Sequence, residues 1–317
     1  MRGKRWTLAG AALATSFVCF TTTYQSWRRK ESLRLTTDSD MIMTALGPVE
    51  YSLSGTGPVV LIAHGSPGGY DMGQAFARLF GNANFTYLAV SRPGYLRTPL
   101  EIAPTPEGQA DLYAALLDSL EIEQASVVGI SGGGPSAIQF SLRHPQRCSS
   151  LIMISGVAQH YSEQEIWQQY SKPKRIFRYL YNKILAFDPF IYFMLPLARL
   201  QPAGAVAADL VRTTLLYPRR KRGYDNDMQQ FEKITRYPLA DIQAPTLIVH
   251  GTSDDEVLFA DAELLASQVP HSQLLAIPHG SHMAFYTHAN IIMPALETFL
   301  QQHMTQTQQT NVIKKIS

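Results

Sequence analysis

Residues 126–135 read Ser-Val-Val-Gly-Ile-Ser-Gly-Gly-Gly-Pro, an apolar run that leads through a glycine-rich turn into a helical pattern. The five residues from Gly129 to Gly133 match the pattern G-x-S-x-G. Where this pattern joins a strand to a helix, the sharp turn exposes the serine hydroxyl, and the two glycines remove side chains that would clash. We therefore predict that Ser131 is a nucleophile and that Gly129 and Gly133 support its turn. The Gly132 amide would point at the helix entrance, where it can stabilise an anion.

Short apolar runs alternate with helical patterns on both sides of this stretch. The runs suit buried parallel strands, and the helices between them would cover both faces of a sheet. The runs are 59–63, 87–91, 126–130, 151–155, 246–250 and 273–277, and the helical patterns are 71–81, 106–119, 133–144, 258–268 and 288–300. The alternation predicts an α/β fold with a doubly wound, mostly parallel sheet. Residues 43–46 and 49–53 are typical of a hairpin at its edge.

One segment, residues 158–241, interrupts the alternation. It is helix-like, aromatic and basic, and it has no clear strand pattern. We predict that it forms a helical cap inserted between two strands of the sheet. Residues 43–157 and 242–300 then form the core, and residues 301–317, rich in Gln and Thr, form a polar tail.

A serine nucleophile needs a base, and candidates follow two of the predicted strands. Asp254 and Asp255 come after the run 246–250, while His279 and His282 come after the next run. Because the carboxyl ends of parallel strands meet at one edge of the sheet, these side chains should lie near Ser131. The order Ser, Asp, His along the chain is the one expected on this architecture. The spacing alone leaves both aspartates and both histidines open.

These motifs together resemble those of serine hydrolases of the α/β-hydrolase fold that carry a helical cap. The resemblance covers about residues 43–300. It rests on the serine turn and on four further motifs, which are His64-Gly65-Ser66-Pro67-Gly68, Ser91-Arg92-Pro93-Gly94-Tyr95, Gly251-x-x-Asp254 and Gly280-Ser281-His282. In this family the acid stands three residues after the glycine that ends its strand, which implies Asp254. The base follows a glycine turn near the last strand, which implies His282.

The resemblance also assigns roles to the motif that begins at His64. In the family, the amide of the residue after His-Gly completes an oxyanion hole, and that residue here is Ser66. We therefore expect the amides of Ser66 and Gly132 to form the oxyanion hole. His64 and Gly65 would hold the turn that carries Ser66.

The expected function is hydrolysis of a carboxylic ester, with an apolar or acyl substrate and an acyl-enzyme intermediate. No cofactor is expected. The same residues would suit hydrolysis of an amide, a thioester or a C–C bond, and the fold could also serve a non-catalytic binding protein. The near balance of 27 basic and 25 acidic residues predicts no nucleic-acid partner. Two cysteines and the lack of an H-E-x-x-H motif predict no metal site.

The N-terminal segment, residues 1–30, carries six basic residues and no acid. Its uncharged stretch, residues 7–24, lies between basic clusters and has aromatic residues at its edges, as a membrane helix does. We predict a single-pass anchor whose orientation the charges do not fix, followed by a tether at residues 31–42. A cleaved signal peptide that leads to export is the alternative.

The cap predicted at residues 158–241 is also basic, with 13 basic and 8 acidic residues. Basic residues are attracted to anionic leaflets. A basic cap facing a membrane, with acyl lipids or other apolar esters as substrates, is therefore one hypothesis. A solvated charged face is the alternative.

Overall fold

An eight-stranded sheet forms the centre of the molecule. The structure is a computed structural model that describes residues 2–80, 84–185, 187–200 and 204–303. The strands are β1 Asp40–Thr44, β2 Gly47–Gly55, β3 Val59–Ala63, β4 Thr86–Val90, β5 Ala125–Ile130, β6 Cys148–Ile154, β7 Thr246–Gly251 and β8 Ser272–Ile277.

The strand order is β1-β2-β4-β3-β5-β6-β7-β8. Strand β2 pairs antiparallel with β1 and β4, and every other neighbouring pair is parallel. The doubly wound, mostly parallel α/β sheet predicted from the sequence is thereby confirmed. The edge hairpin is present as β1 and β2.

Helices cover both faces of the sheet because the strand residues alternate between two apolar cores. In β3, Val59 and Leu61 belong to one core, whereas Val60 and Ile62 belong to the other. The helices that flank the sheet are α2 Tyr70–Leu79, α3 Pro106–Ser119, α4 Gly134–Arg143, α10 Phe259–Gln268, α11 Ala284–Thr287 and α12 Ala289–His303. Helices α3, α4 and α10 contribute to the first core, and α2, α11 and α12 contribute to the second.

Between β6 and β7 the chain leaves the sheet and forms further helices, which we call the helical insertion (residues 158–241). They are α5 Glu163–Gln169, α6 Lys172–Leu185, α7 Asp188–Ala198, α8 Gly204–Arg212 and α9 Lys221–Phe231. A buried ion pair fastens the insertion to the core. Arg220, fully buried before α9, donates to both carboxylate oxygens of Asp71 in α2, at 3.0 and 2.9 Å. It also donates to the Gly68 carbonyl at 2.7 Å.

The N-terminal residues form one long helix, α1 Arg2–Thr37. We predicted that residues 7–24 span a membrane, but none of the helices in the described part of the chain is long and apolar enough to do so. Polar residues shorten the apolar run, and the hydroxyls of Thr21, Thr22 and Thr23 donate to carbonyls about one turn earlier in the helix.

The predicted tether also differs from the structure. Residues 31–37 continue α1, and the buried Leu35 joins the small apolar cluster that contains Tyr70. The apolar contact of Leu35 holds this segment against the core, so that it does not run free. Of the predicted polar tail, residues 301–303 end α12 and the rest lies outside the described residues.

The ion pair of Arg220 predicts a large loss of stability when its cation is removed. In Arg220→Met, the remaining ion-pair partner of the buried Asp71 carboxylate among the described residues is Arg34, at 4.0 Å. An unpaired buried charge costs about 3 kcal/mol or more, so the free energy of unfolding in urea should fall by that amount. The matched control is Lys221→Met, since Lys221 is exposed and pairs with Asp225 at the surface. Equal unfolding curves for the two variants would contradict this account of the insertion.

Candidate active site

Ser131 stands between β5 and α4 in the left-handed region, with φ of 50°. Few non-glycine residues adopt this conformation, and here the surrounding packing imposes it. Gly133, two residues later, approaches β3 so closely that a Cβ there would lie 2.1 Å from the Ala63 carbonyl oxygen. The turn is held further by the Ser131 carbonyl, which accepts from the Val157 amide at 3.1 Å. Gly129 lies in β5, as predicted.

Three side chains from three strand ends form a hydrogen-bonded row. The Ser131 hydroxyl lies 3.0 Å from Nε2 of His282. On the other side of the ring, Nδ1 of His282 lies 2.8 Å from Oδ2 of Asp254. The structure thus brings together the three residues that the resemblance implies.

The environment of Asp254 keeps it ionised. Its Oδ1 accepts from the backbone amides of Glu256 and Val257 at 2.9 and 3.1 Å. Burial acts to raise the pKa of Asp254, but hydrogen bonds from His250 and His282 outweigh it and lower the pKa far below its usual range. The sequence interpretation missed His250, whose Nε2 lies 3.2 Å from Oδ2 of Asp254 and 2.9 Å from the Val257 carbonyl.

Two opposing effects set the pKa of His282. Burial of the ring disfavours the imidazolium and lowers the pKa. The hydrogen bond and the charge of Asp254 act in the other direction and prevail, so that the pKa of His282 is raised above its ordinary value. The imidazolium that forms when Nε2 takes a proton is therefore stabilised.

The alternative residues lie elsewhere. Asp255 pairs at 2.6 Å with Lys174, at the surface. His279 is exposed on a turn, where its backbone amide donates to the Thr252 hydroxyl at 2.8 Å. Neither of them takes part in the row that contains Ser131. Within the ranges that the structure describes, no group of three or more His, Cys, Asp or Glu side chains is placed to hold a metal ion.

The two residues expected to form the oxyanion hole lie side by side. A Cβ on Gly132 would lie 2.1 Å from the Ser66 hydroxyl and 3.3 Å from the Phe231 ring. Gly132 therefore has to be a glycine while Ser66 and Phe231 stay where they are. Phe231 ends α9, so the helical insertion reaches the edge of the site.

His64 and Gly65 form the turn before Ser66, and hydrogen bonds of the His64 ring hold this turn. Nδ1 of His64 donates to the Gly65 carbonyl at 2.7 Å, and Nε2 accepts from the Arg92 amide at 3.0 Å. A ring that accepts at Nε2 is neutral. Burial and the nearby Arg92 guanidinium lower the pKa of His64 well below its ordinary value, which agrees with this assignment.

A buried carboxylate from the insertion lies behind this turn, and the sequence interpretation missed it. Asp227, in α9, accepts from Arg92 Nη1 at 2.9 Å, from the Tyr95 hydroxyl at 2.5 Å and from the Ser66 hydroxyl. Burial first, and then the charge of Asp227, raise the pKa of Tyr95, so its hydroxyl is a neutral donor. The residue that carries an expected oxyanion amide is thus bonded to the insertion.

Comparison with known families agrees with this arrangement. The model of a family described as "Alpha/beta hydrolase family" matches residues 59–292, which span strands β3 to β8, the insertion and all three residues of the row. The chain belongs to the alpha/beta hydrolase family. The resemblance drawn from the motifs is confirmed at this level.

Several hydrolases are similar to this alpha/beta hydrolase over parts of their length. An uncharacterised hydrolase of Bacillus subtilis is 35% identical over 36% of this chain, which covers only 40% of that relative's length. A poly(3-hydroxyalkanoate) depolymerase of Ectopseudomonas oleovorans is 29% identical over 62% of this chain and 67% of its own. A 2-hydroxy-6-oxononadienedioate/2-hydroxy-6-oxononatrienedioate hydrolase of Burkholderia vietnamiensis is 25% identical over 80% of this chain and 91% of its own length.

A solved structure extends the likeness to three dimensions. An alpha/beta hydrolase fold protein from Nakamurella multipartita superposes with a TM-score of 0.68 at 31% identity. The match covers 83% of this chain and 99% of that protein. The likeness therefore extends over almost the whole of that protein.

Removing the charge of Asp227 should destabilise the alpha/beta hydrolase. In Asp227→Asn, the guanidinium of Arg92, only 1% exposed, loses its counterion. Breaking a buried pair from one side costs about 3 kcal/mol or more, so the midpoint of thermal unfolding should fall by several degrees. Asp225→Asn is the matched control on the same helix, because Asp225 pairs with Lys221 at the surface. A midpoint that falls equally in both variants would count against the buried pair.

Proposed function

We propose that the chain is a serine hydrolase that cleaves a carboxylic ester with an apolar or acyl substrate through an acyl-enzyme. The observation that carries the proposal is the unbroken row of hydrogen bonds from Ser131 through His282 to Asp254. In this row a base touches the nucleophile, and a buried carboxylate fixes the orientation of the base. The depolymerase among the relatives, whose substrate by name is a polyester, supports an ester substrate.

The proposed reaction has two halves. Ser131 Oγ attacks the ester carbonyl while Nε2 of His282 takes the hydroxyl proton, and the amides of Ser66 and Gly132 stabilise the oxyanion. His282 then returns the proton to the leaving alcohol as the C–O bond breaks. A water molecule then attacks the acyl carbon while Nε2 of His282 takes its proton. The bond between the acyl carbon and Ser131 Oγ breaks, His282 returns the proton to Oγ, and the carboxylic acid leaves the restored enzyme. Asp254 stays ionised throughout and stabilises the imidazolium.

Hydrolysis of a C–C bond with the same residues is the second candidate. It is favoured by the relative from Burkholderia vietnamiensis, whose named substrates are hydroxy-oxo dienedioates and trienedioates. Turnover of p-nitrophenyl acyl esters of graded chain length, compared with turnover of such a hydroxy-oxo acid, separates the two candidates. Amide and thioester substrates belong in the same panel.

A binding protein on this fold is the candidate of another class. A fluorophosphonate probe, which labels activated serines, distinguishes it from an enzyme. Labelling of Ser131 on the folded protein would support the hydrolase, and its absence would favour the binding protein.

Association with a membrane through the N-terminal helix also stays a proposal. The basic flanks of the stretch 7–24 support it, and export after cleavage of a signal peptide is its alternative. Fractionation of cells that express the full chain, followed by sequencing of the N-terminus, would separate the two.

Replacing the nucleophile should abolish ester turnover without unfolding the protein. Ser131→Ala removes the attacking oxygen, and loss of a nucleophile of this type lowers kcat on the order of 10⁶-fold. The control is Ser281→Ala, which removes an exposed hydroxyl next to His282 and should leave kcat within a factor of two or so. If Ser131→Ala kept its activity while remaining folded, the proposed mechanism would be wrong.

The pH dependence of kcat/KM should report His282. The ring must be neutral to take the serine proton, so activity is lost as pH falls through its pKa. Because Asp254 raises that pKa against the effect of burial, the acidic limb should lie above pH 6.5, the ordinary value. In Asp254→Asn the two largest effects that raise this pKa are gone while burial still lowers it, so the limb should move to lower pH while kcat falls about 10⁴-fold. Asp255→Asn should keep the limb in place, and an equal shift in that variant would reassign the acid.

A further inference from the structure

The outer surface of α6 and α7 is apolar. Surface helices normally turn their apolar side chains to the core. Here eight large hydrophobic side chains on or next to these two helices are each at least half exposed, and we call them the α6–α7 face. They are Ile176, Phe177, Tyr179, Leu180, Phe187, Phe193, Leu197 and Leu200. Several large apolar side chains exposed on neighbouring helices are typical of a site of interaction with a partner or a membrane.

Helix α6 keeps this orientation because its polar side is bound to the loop that carries the candidate acid. Arg178 pairs with Glu256 at 2.7 Å, and Lys174 pairs with Asp255 at 2.6 Å. Both partners follow Asp254 directly in the sequence. A rotation of α6 that turned its apolar side chains inward would break these two ion pairs. The ion pairs therefore favour the orientation in which the apolar side chains of α6 are exposed.

The face has a basic rim. Residues 171–200 contain six basic residues and one acid, Asp188, which is buried and pairs with Arg28 at 3.0 Å. Lys172, Lys183 and Arg199 are exposed beside the face. Apolar side chains bordered by lysine and arginine are typical of helices that lie in the headgroup region of anionic membranes.

Residues 219–222 are four consecutive basic residues of the predicted cap, but they are a weaker candidate for contact with a membrane than their composition suggests. Arg220 is buried against Asp71, and Lys221 and Arg222 pair with Asp225 and Glu101. Arg219 donates to the Ser32 hydroxyl at 2.8 Å. The charge of three of these four residues is therefore balanced by a carboxylate, whereas residues 171–200 keep a net positive charge.

Aromatic rings extend the face onto α1. The ring of Phe20 stacks on that of Phe193, with their centroids 5.2 Å apart. The ring centroids of Tyr24 and Trp27 lie 5.8 and 5.0 Å from that of Tyr192. Tyrosine and tryptophan favour the membrane–water interface. The aromatic residues of α1 that lie beside α7 are therefore of the types that favour a membrane–water interface.

We propose that the α6–α7 face docks on the surface of an anionic lipid bilayer, with α6 and α7 lying in the headgroup region. A second copy of the chain is a poorer fit, because a two-fold contact would place the basic rim against itself. The docking does not depend on the proposed reaction, so the variant Ser131→Ala should bind vesicles as the wild type does.

The test is co-sedimentation of the full chain with vesicles of phosphatidylcholine containing about one-third phosphatidylglycerol. The triple variant Ile176→Ser, Leu180→Ser, Leu197→Ser should lower the partition coefficient about tenfold or more. The matched control is Met43→Ser, Leu274→Ser, Ile291→Ser, which removes three exposed apolar side chains elsewhere and should change binding less than about twofold. Circular dichroism checks that both variants are folded.

A second variant tests the charges without altering the apolar side chains. Lys172→Gln, Lys183→Gln, Arg199→Gln should weaken binding to the anionic vesicles, and added salt should weaken wild-type binding in the same way. The proposal is overturned if the face variant and the control variant bind vesicles equally, or if the charge variant binds as tightly as the wild type. It is also overturned if the wild type is a dimer in solution that the face variant converts to monomers, because the face would then be a contact between copies.

Discussion

Parallel pairing of the central strands is the constraint on which the candidate site depends. Strands β3, β5, β7 and β8 run in the same direction, so their carboxyl ends meet at one edge of the sheet. The turns that follow them carry Ser66, Ser131, Asp254 and His282, which are up to 216 residues apart in sequence. Backbone hydrogen bonds of the sheet fix the four turns relative to one another before any side chain contributes. Ser131, His282 and Asp254 are therefore held within hydrogen-bond distance of one another although they are far apart in the sequence.

Buried charges join the helical insertion to this frame. The pairs Arg92–Asp227 and Arg220–Asp71 each have both side chains almost fully buried. Taking such charges out of water is costly, and an apolar contact of the same size could be as stable. Apolar contacts, however, tolerate sliding, whereas a guanidinium that donates to both oxygens of a carboxylate fixes position and angle. These two pairs thus explain how an insertion made of short helices keeps a fixed place beside Ser66 and Gly132.

The sequence predicted most of the sheet and the nucleophile because both leave local patterns, whereas the choice of Asp254 and His282 within their turns came from the family resemblance. Apolar runs mark the strands, and the G-x-S-x-G turn marks the nucleophile. Asp227 and His250 leave no such pattern, since their roles arise from contacts with residues more than one hundred positions away or with the loop of Asp254. The run 219–222 reads as four equivalent charges, and only packing distinguishes the buried Arg220 from its exposed neighbours. Likewise, the polar composition of residues 31–37 predicted a tether. These residues are helical instead, and the buried Leu35 packs them against an apolar cluster.

The backbone of Ser131 has a consequence for how such a protein can change. A residue other than glycine in the left-handed region costs roughly 1 kcal/mol or more, and the turn holds Ser131 there through its neighbours. Glycine at this position would relieve the strain and make the molecule more stable, but it would remove the hydroxyl. Selection for stability and selection for reactivity therefore oppose each other at this one position. A sequence that drifted without the need for a nucleophile would be expected to lose this serine early and to keep its fold.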